Sequence, residues 1–120
     1  MQGEENLTKR AQYTLVYNEG RSWVSSLLVM KALPNGLTFS RYGFSVSRQV
    51  GKAVDRNKAK RRLREILRVT PLKQGWDVVF IARPPAATAS YTGLKKATVG
   101  LLSRARLLMR EDERVCLRIN

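Results

Sequence analysis

Histidine is missing from this chain, and cysteine occurs once, at Cys116. Without an imidazole there is no histidine acid–base pair. A single thiol rules out an internal disulfide and fits a reducing compartment; by itself Cys116 reads as an idle or buried thiol. Acidic residues are few. Glu4, Glu5, Glu19, Asp55, Glu65 and Asp77 are scattered, and only Glu111, Asp112 and Glu113 cluster, in what reads as a solvated end. No carboxylate set for a two-metal nuclease centre is expected, and no metal-ligating or catalytic residue is assigned. No P-loop or glycine-rich phosphate cradle occurs. No stretch approaches the ~20 apolar residues needed to span a bilayer. Glu4 and Glu5 stand where a secretory leader would be basic, so a cytoplasmic protein is expected.

What is present is positive charge. The chain of 120 residues carries 23 Lys and Arg against 9 Asp and Glu, a formal net charge of +14. Hydrophobic residues make up 43%, enough for a folded globule, and the length suits one domain over residues 1–120. So much charge of one sign repels itself. A polyanion is the expected partner: nucleic acid first, because neutralised phosphates release counterions, and an anionic membrane surface second.

Periodicity places the elements. Residues 6–18 read as a helix, with Leu7, Ala11, Leu15 and Val16 at helical spacing, Tyr13 and Tyr17 one turn apart, and Gly20 as a stop. Residues 22–31 read as one strand and residues 38–47 as the next, joined through Asn35-Gly36 as an antiparallel hairpin. Tyr42, Phe44 and Val46 share one face of that second strand, and Arg41, Gly43 and Ser45 share the other. A second helix is expected over residues 55–69 with Asp55 as N-cap, ended before Pro71. The run Trp76–Ala82 reads as a buried strand, residues 90–109 as a third helix, and residues 115–119 as a last short strand or frayed tail. Trp23 and Trp76 are assigned to the core. The order helix, strand, strand, helix, strand, helix predicts an α+β fold, with the basic helix in a parallel crossover.

The middle helix concentrates the charge. Residues 51–70 hold Lys52, Arg56, Lys58, Lys60, Arg61, Arg62, Arg64 and Arg68 against only Asp55 and Glu65, so +6 of the +14 lies in one sixth of the chain. At about 3.6 residues per turn, Ala59, Leu63, Ile66 and Leu67 share a core face. Asn57, Lys60, Arg61, Arg64 and Arg68 fall on an adjacent stripe, with Lys58 and Arg62 on the other flank. Like charges at i,i+3 and i,i+4 weaken a helix, so their retention points to phosphates along the stripe. Arginine favours forked contact with phosphate. This reasoning does not separate RNA from DNA.

The ordered run from Gly43 through Phe44, Ser45, Val46, Ser47 and Arg48, then from Val50-Gly51-Lys52-Ala53-Val54 to Arg56-Asn57-Lys58-Ala59-Lys60-Arg61-Arg62-Leu63-Arg64-Glu65, resembles the signature of the bacterial ribonuclease P protein family. Lys58 stands where the family usually has a second arginine, Gln49 where a basic residue is common, and Tyr42 where an aliphatic one is frequent. The remainder agrees more loosely, through the N-terminal helix with paired aromatics, the strand ending in Arg83-Pro84-Pro85, and the last amphipathic helix.

The resemblance implies a small α/β sandwich of about four strands in a mixed sheet with three helices, related to a ribosomal-protein domain and with a left-handed β-α-β crossover. It implies a protein subunit bound, 1:1, to a catalytic RNA that holds the Mg²⁺ ions and removes the 5′ leader of precursor tRNA. Arg56, Asn57, Lys58, Lys60, Arg61, Arg64 and Arg68 would then face the RNA subunit. Tyr13, Tyr17, Phe44, Val46 and Arg48 would line the leader cleft. From the residues alone, Tyr13 and Tyr17 serve stacking or core equally well, and Phe44 and Val46 read as core. A generic ribosomal-type RNA-binding module is the alternative. A protein-only nuclease lacks its acid–base groups. A membrane-surface helix would need Leu63, Ile66 and Leu67, which the strands require for a core.

Overall fold

Alternating apolar side chains build a single sheet with helices on both faces. A computed structural model of the chain describes residues 4–7 and 9–108. Along the chain run β1 (Glu4–Asn6), α1 (Arg10–Glu19), β2 (Arg21–Val24), β3 (Leu28–Pro34), β4 (Ser40–Ser45), α2 (Ala53–Val69), β5 (Trp76–Ala82) and α3 (Tyr91–Arg104). Short 3₁₀ turns, Arg48–Val50 and Pro84–Thr88, precede α2 and α3. The strand order is β1-β4-β5-β3-β2. β4 is parallel to β1 and β5, whereas β3 is antiparallel to β2 and β5. The expected α+β sandwich with a mixed sheet and three helices is therefore present, with a three-residue edge strand, β1, in addition.

On one face, Leu28, Met30 and Ala32 of β3 and Val78, Phe80 and Ala82 of β5 pack with Ala59, Leu63, Ile66 and Leu67 of α2 and Leu94, Leu101 and Leu102 of α3. On the other, Val79 meets Leu7 and Val16, with Tyr13, Tyr17, Leu33 and Ile81 half-buried around them. Burying each Leu, Phe or Met side chain stabilises by roughly 1.5–3 kcal/mol. Trp23 and Trp76 are half-buried against the larger cluster.

Several local expectations differ from the fold. Residues 22–31 are two strands, not one. The chain reverses at Ser25, whose hydroxyl accepts the N–H groups of Leu27 and Leu28, and this makes the β2–β3 hairpin. The Asn35-Gly36 turn exists, with Gly36 at φ 70°, but β3 and β4 do not pair. β5 inserts between them. Asn35 serves that arrangement: its Nδ2 donates to the Phe39 carbonyl and, at 2.9 Å, to Asp77 Oδ1 of β5. The parallel β4–α2–β5 crossover is as expected. α1 begins at Arg10, after β1. α2 begins at Ala53 with Lys52 at the N-cap position, so Asp55 sits in the first turn instead of capping it. α3 stops at Arg104, short of residue 109. Arg106 adopts φ 59°, and Leu107 N–H reaches back to the Leu102 carbonyl while Arg106 N–H reaches that of Ser103, a left-handed helix end made without the glycine that would have announced it. Cys116, the acidic cluster 111–113 and the 115–119 segment lie outside the described residues.

Asp77 is buried at 3% exposure and accepts two hydrogen bonds from Arg41, at 2.8 and 2.6 Å. Removing one member of such a pair strands the other. Asp77→Ala is expected to cost about 3–5 kcal/mol in urea unfolding. Leu63→Ala, at a site with 0% exposure, should cost about 2–5 kcal/mol. Leu15→Ala on α1, 52% exposed, should stay within about 0.5 kcal/mol.

Candidate nucleic-acid interface

The buried face of α2 dictates what the rest of the helix shows. With Ala59, Leu63, Ile66 and Leu67 against the sheet, Asn57, Lys58, Arg61, Arg64 and Arg68 are exposed and Lys60 is half-buried. The entry into the helix depends on Gly51, at φ 152°, a conformation that favours glycine. A Cβ there would also crowd the Asp55 carboxylate, whose charge suits the first turn of the helix.

Arg68 pairs with Glu65 at 2.7 Å, but both are exposed and such pairs contribute little. Lys58, Lys60, Arg61 and Arg64 make no ion pair with a described carboxylate. Arg62 leaves the surface differently, donating to the Ala89 carbonyl at 2.7 Å and tying α2 to the start of α3. Arg56 turns toward the buried side, and its Nε–H is buried with no acceptor. The result is a row of undischarged cations on a rigid helix, suited to an extended polyanion.

The other face of the sheet is aromatic. Tyr13 and Tyr17 project from α1 over β4, β5 and β3. The Tyr13 hydroxyl donates to the Leu7 carbonyl at 3.3 Å and lies so close over Gly43 that any Cβ at that position would overlap it. Burial pushes its phenol above the ordinary 10.0; the nearby Tyr17 adds to the shift and a hydrogen bond from the Phe44 backbone opposes it. Lys31 of β3 places its Nζ 5.9 Å from the centre of the Tyr17 ring and donates to the Tyr17 carbonyl at 3.3 Å. Two phenol rings and an ammonium group thus share one side of the sheet.

Phe44 and Val46 lie on the opposite side. The Phe44 ring stacks on buried Phe80 with centroids 6.4 Å apart and meets the Tyr42 ring at a tilt, 5.7 Å away, and Val46, 8% exposed, belongs to the α2–α3 core. Arg48 is exposed in the 3₁₀ turn that leads to α2. The five residues expected in one cleft therefore divide: Tyr13 and Tyr17 are together, Phe44 and Val46 support α2 from beneath, and Arg48 stands at the end of the sheet. Strand parity already carried this division, since Arg41, Gly43 and Ser45 were the ones on the α1 side. Lys31 was missed. Its signal was its position between Val29 and Leu33, on the face they share.

A profile of the Ribonuclease P family matches residues 1–106. The chain is 49% identical over 114 residues to the ribonuclease P protein component of a Dehalococcoides mccartyi strain, covering 95% of both. It is 41% identical over 103 residues to that of Caldanaerobacter subterraneus, covering 84% of this chain and 89% of that one. Its fold is similar to the RNase P protein of Staphylococcus aureus, with a TM-score of 0.80, 29% identity, and coverage of 87% of this chain and 97% of that one. For the Thermotoga maritima protein the values are 0.73, 34%, 82% and 96%.

The Tyr13 shift has a sign that can be measured. Its folded pKa lies above the unfolded value, so the stability it contributes is complete below about pH 10 and is lost as pH rises through the folded value. Tyr13→Phe should show a smaller loss of stability between about pH 9 and about pH 11 than the parent chain, read by urea unfolding. An equal loss would show that Tyr13 ionises freely.

Proposed function

The chain belongs to the ribonuclease P protein family, and from that premise we propose that it binds the catalytic RNA subunit through α2 and the 5′ leader of precursor tRNA through the α1 face. The observation that carries this reading is the separation of two unlike surfaces by one sheet: undischarged cations on α2, and phenol rings with Lys31 on the other side. Arg61 and Arg64, with Lys58, Lys60, Arg68 and Asn57, engage phosphates of the RNA subunit, where release of counterions drives docking. Arg56, half-buried beside them, adds its charge to the same contact. Tyr17 and Tyr13 offer ring faces to unpaired leader bases, an interaction worth roughly 1–3 kcal/mol per base. Lys31 and Arg48 meet leader phosphates. Phe44 and Val46 act from the other face, by holding β4 and α2 in place.

In this reading the cleavage chemistry and its Mg²⁺ ions belong to the RNA subunit. The chain has no histidine, Asp77 is committed to Arg41 and Asn35, and among the described residues no group of three acidic or sulfur ligands comes together. One protein per RNA subunit, working in the cytoplasm, completes the proposal; no helix among the described residues is long and apolar enough to cross a membrane.

The decisive experiment is precursor-tRNA cleavage at low Mg²⁺ with a bacterial RNase P RNA alone, the protein alone, and both. Cleavage at the mature 5′ end with both alone supports the proposal. No stimulation, with equal binding to any structured RNA, would replace it with a generic RNA-binding module. R61A/R64A should weaken RNA-subunit binding and lower the slope of log affinity against log salt by about 1.4–1.8. Tyr17→Ala should weaken precursor binding about 5- to 150-fold, taking 1–3 kcal/mol for one stacked base, and leave mature-tRNA binding unchanged. Equal losses for both ligands would remove Tyr17 from the leader site.

A further inference from the structure

Away from α2, two more arginines are held by backbone carbonyls instead of carboxylates. Arg83, just after β5, donates from Nη1 to the Ser25 carbonyl at 2.8 Å. Arg104, at the end of α3, donates from Nη1 to the Val24 carbonyl at 2.9 Å. Their acceptors are consecutive residues, with Cα atoms about 3.8 Å apart, so two elements remote in sequence deliver guanidinium groups to one turn. That turn is firmly built. Ser25 N–H bonds the Leu28 carbonyl at 2.8 Å, and Arg83 N–H bonds that of Leu27 at 2.9 Å. The Ser25 hydroxyl accepts from Leu27 and Leu28.

Both arginines are exposed, and neither forms an ion pair with a described carboxylate. A carbonyl fixes a guanidinium without discharging it, and one such bond leaves most of its five N–H donors uncommitted. Two like charges drawn to one turn, in a chain of net charge +14, oppose folding. A neutral donor would brace the turn as well. The arrangement makes sense when an anion neutralises both groups.

We propose that Arg83 and Arg104 form a second phosphate-binding point for RNA, at the β2–β3 turn and separate from the α2 stripe. This rests on the reading of the chain as an RNA-binding subunit. Its place in the fold suits the role. Ala82 is in register with Leu28 of β3, and Ile81 with Ser45 of β4, so the turn lies at the same end of the sheet as Arg48 and the start of α2. β2 stands three strand spacings from β4, about 14 Å, so the clasp carries the basic surface across the end of the sheet to its far edge. The ligand is the phosphodiester backbone, of the RNA subunit or of precursor tRNA.

R83Q/R104Q tests this, because glutamine keeps an N–H donor for the carbonyls and removes the charge. Binding is titrated over a range of salt, for RNase P RNA with the protein and for precursor tRNA with the assembled holoenzyme, with R61A/R64A in parallel. The slope of log affinity against log salt should fall by about 1.4–1.8 for one of the two RNAs, and that RNA is the ligand. R83K/R104K should restore most of it. If R83Q/R104Q lowers Tm and the turn is lost, Ser26→Lys at the exposed tip adds a charge without touching the clasp, and should steepen the slope by about 0.7–0.9. Unchanged slopes for both RNAs in R83Q/R104Q and in Ser26→Lys, while R61A/R64A lowers its own, overturn the clasp alone. Unchanged slopes in R61A/R64A as well overturn the reading of α2 with it.

Discussion

β5 has a strand on each edge and a helical layer on each face, and every other element takes its place from that burial. Val78, Phe80 and Ala82 anchor α2 and α3, whereas Val79 and Ile81 anchor α1. A strand buried on both faces is a nearly continuous apolar run, as residues 76–82 are. Its edges decide the topology. By lying antiparallel to β3 and parallel to β4, β5 holds apart two strands that follow each other in sequence. It also obliges α2 to cross over the sheet to reach it.

That crossover reconciles α2 with its own charge. A helix this rich in Lys and Arg is weak in isolation, because like charges crowd at i,i+3 and i,i+4. Burial of Leu63, Ile66 and Leu67 at 0% exposure outweighs the repulsion and holds the cations in a fixed row. The rigid sheet then separates this row from the tyrosines of α1. The chain presents a cationic surface and an aromatic surface that do not compete for the same space. Arg83 and Arg104 add two exposed cations at the β2–β3 turn, on the far edge of the sheet.

The polar end of the sheet shows how a single turn serves the fold. Asn35 bonds Phe39, Leu37 and Asp77 at once, while Asp77 also receives Arg41 from β4. The turn after β3 and the start of β4 are both joined to β5 through one buried carboxylate, and β5 is held in register at the point where it enters between its neighbours.

Much of this was legible without coordinates. The basic stripe of α2, the buried run of β5 and the pairing of Tyr13 with Tyr17 follow from side-chain periods of 3.6 and 2, which are local properties of the chain. The sequence alone also determined that the surface would be cationic. Tertiary structure decided what depends on partners far along the chain. Asn35-Gly36 is a sound hairpin signal, yet strand pairing is settled by which edge buries more apolar surface, and β5 won that contest over β4. For the same reason Phe44 and Val46 went beneath α2 while Lys31 joined the tyrosines. Parity assigns residues to two faces, but only the packed sheet determines which helix covers each.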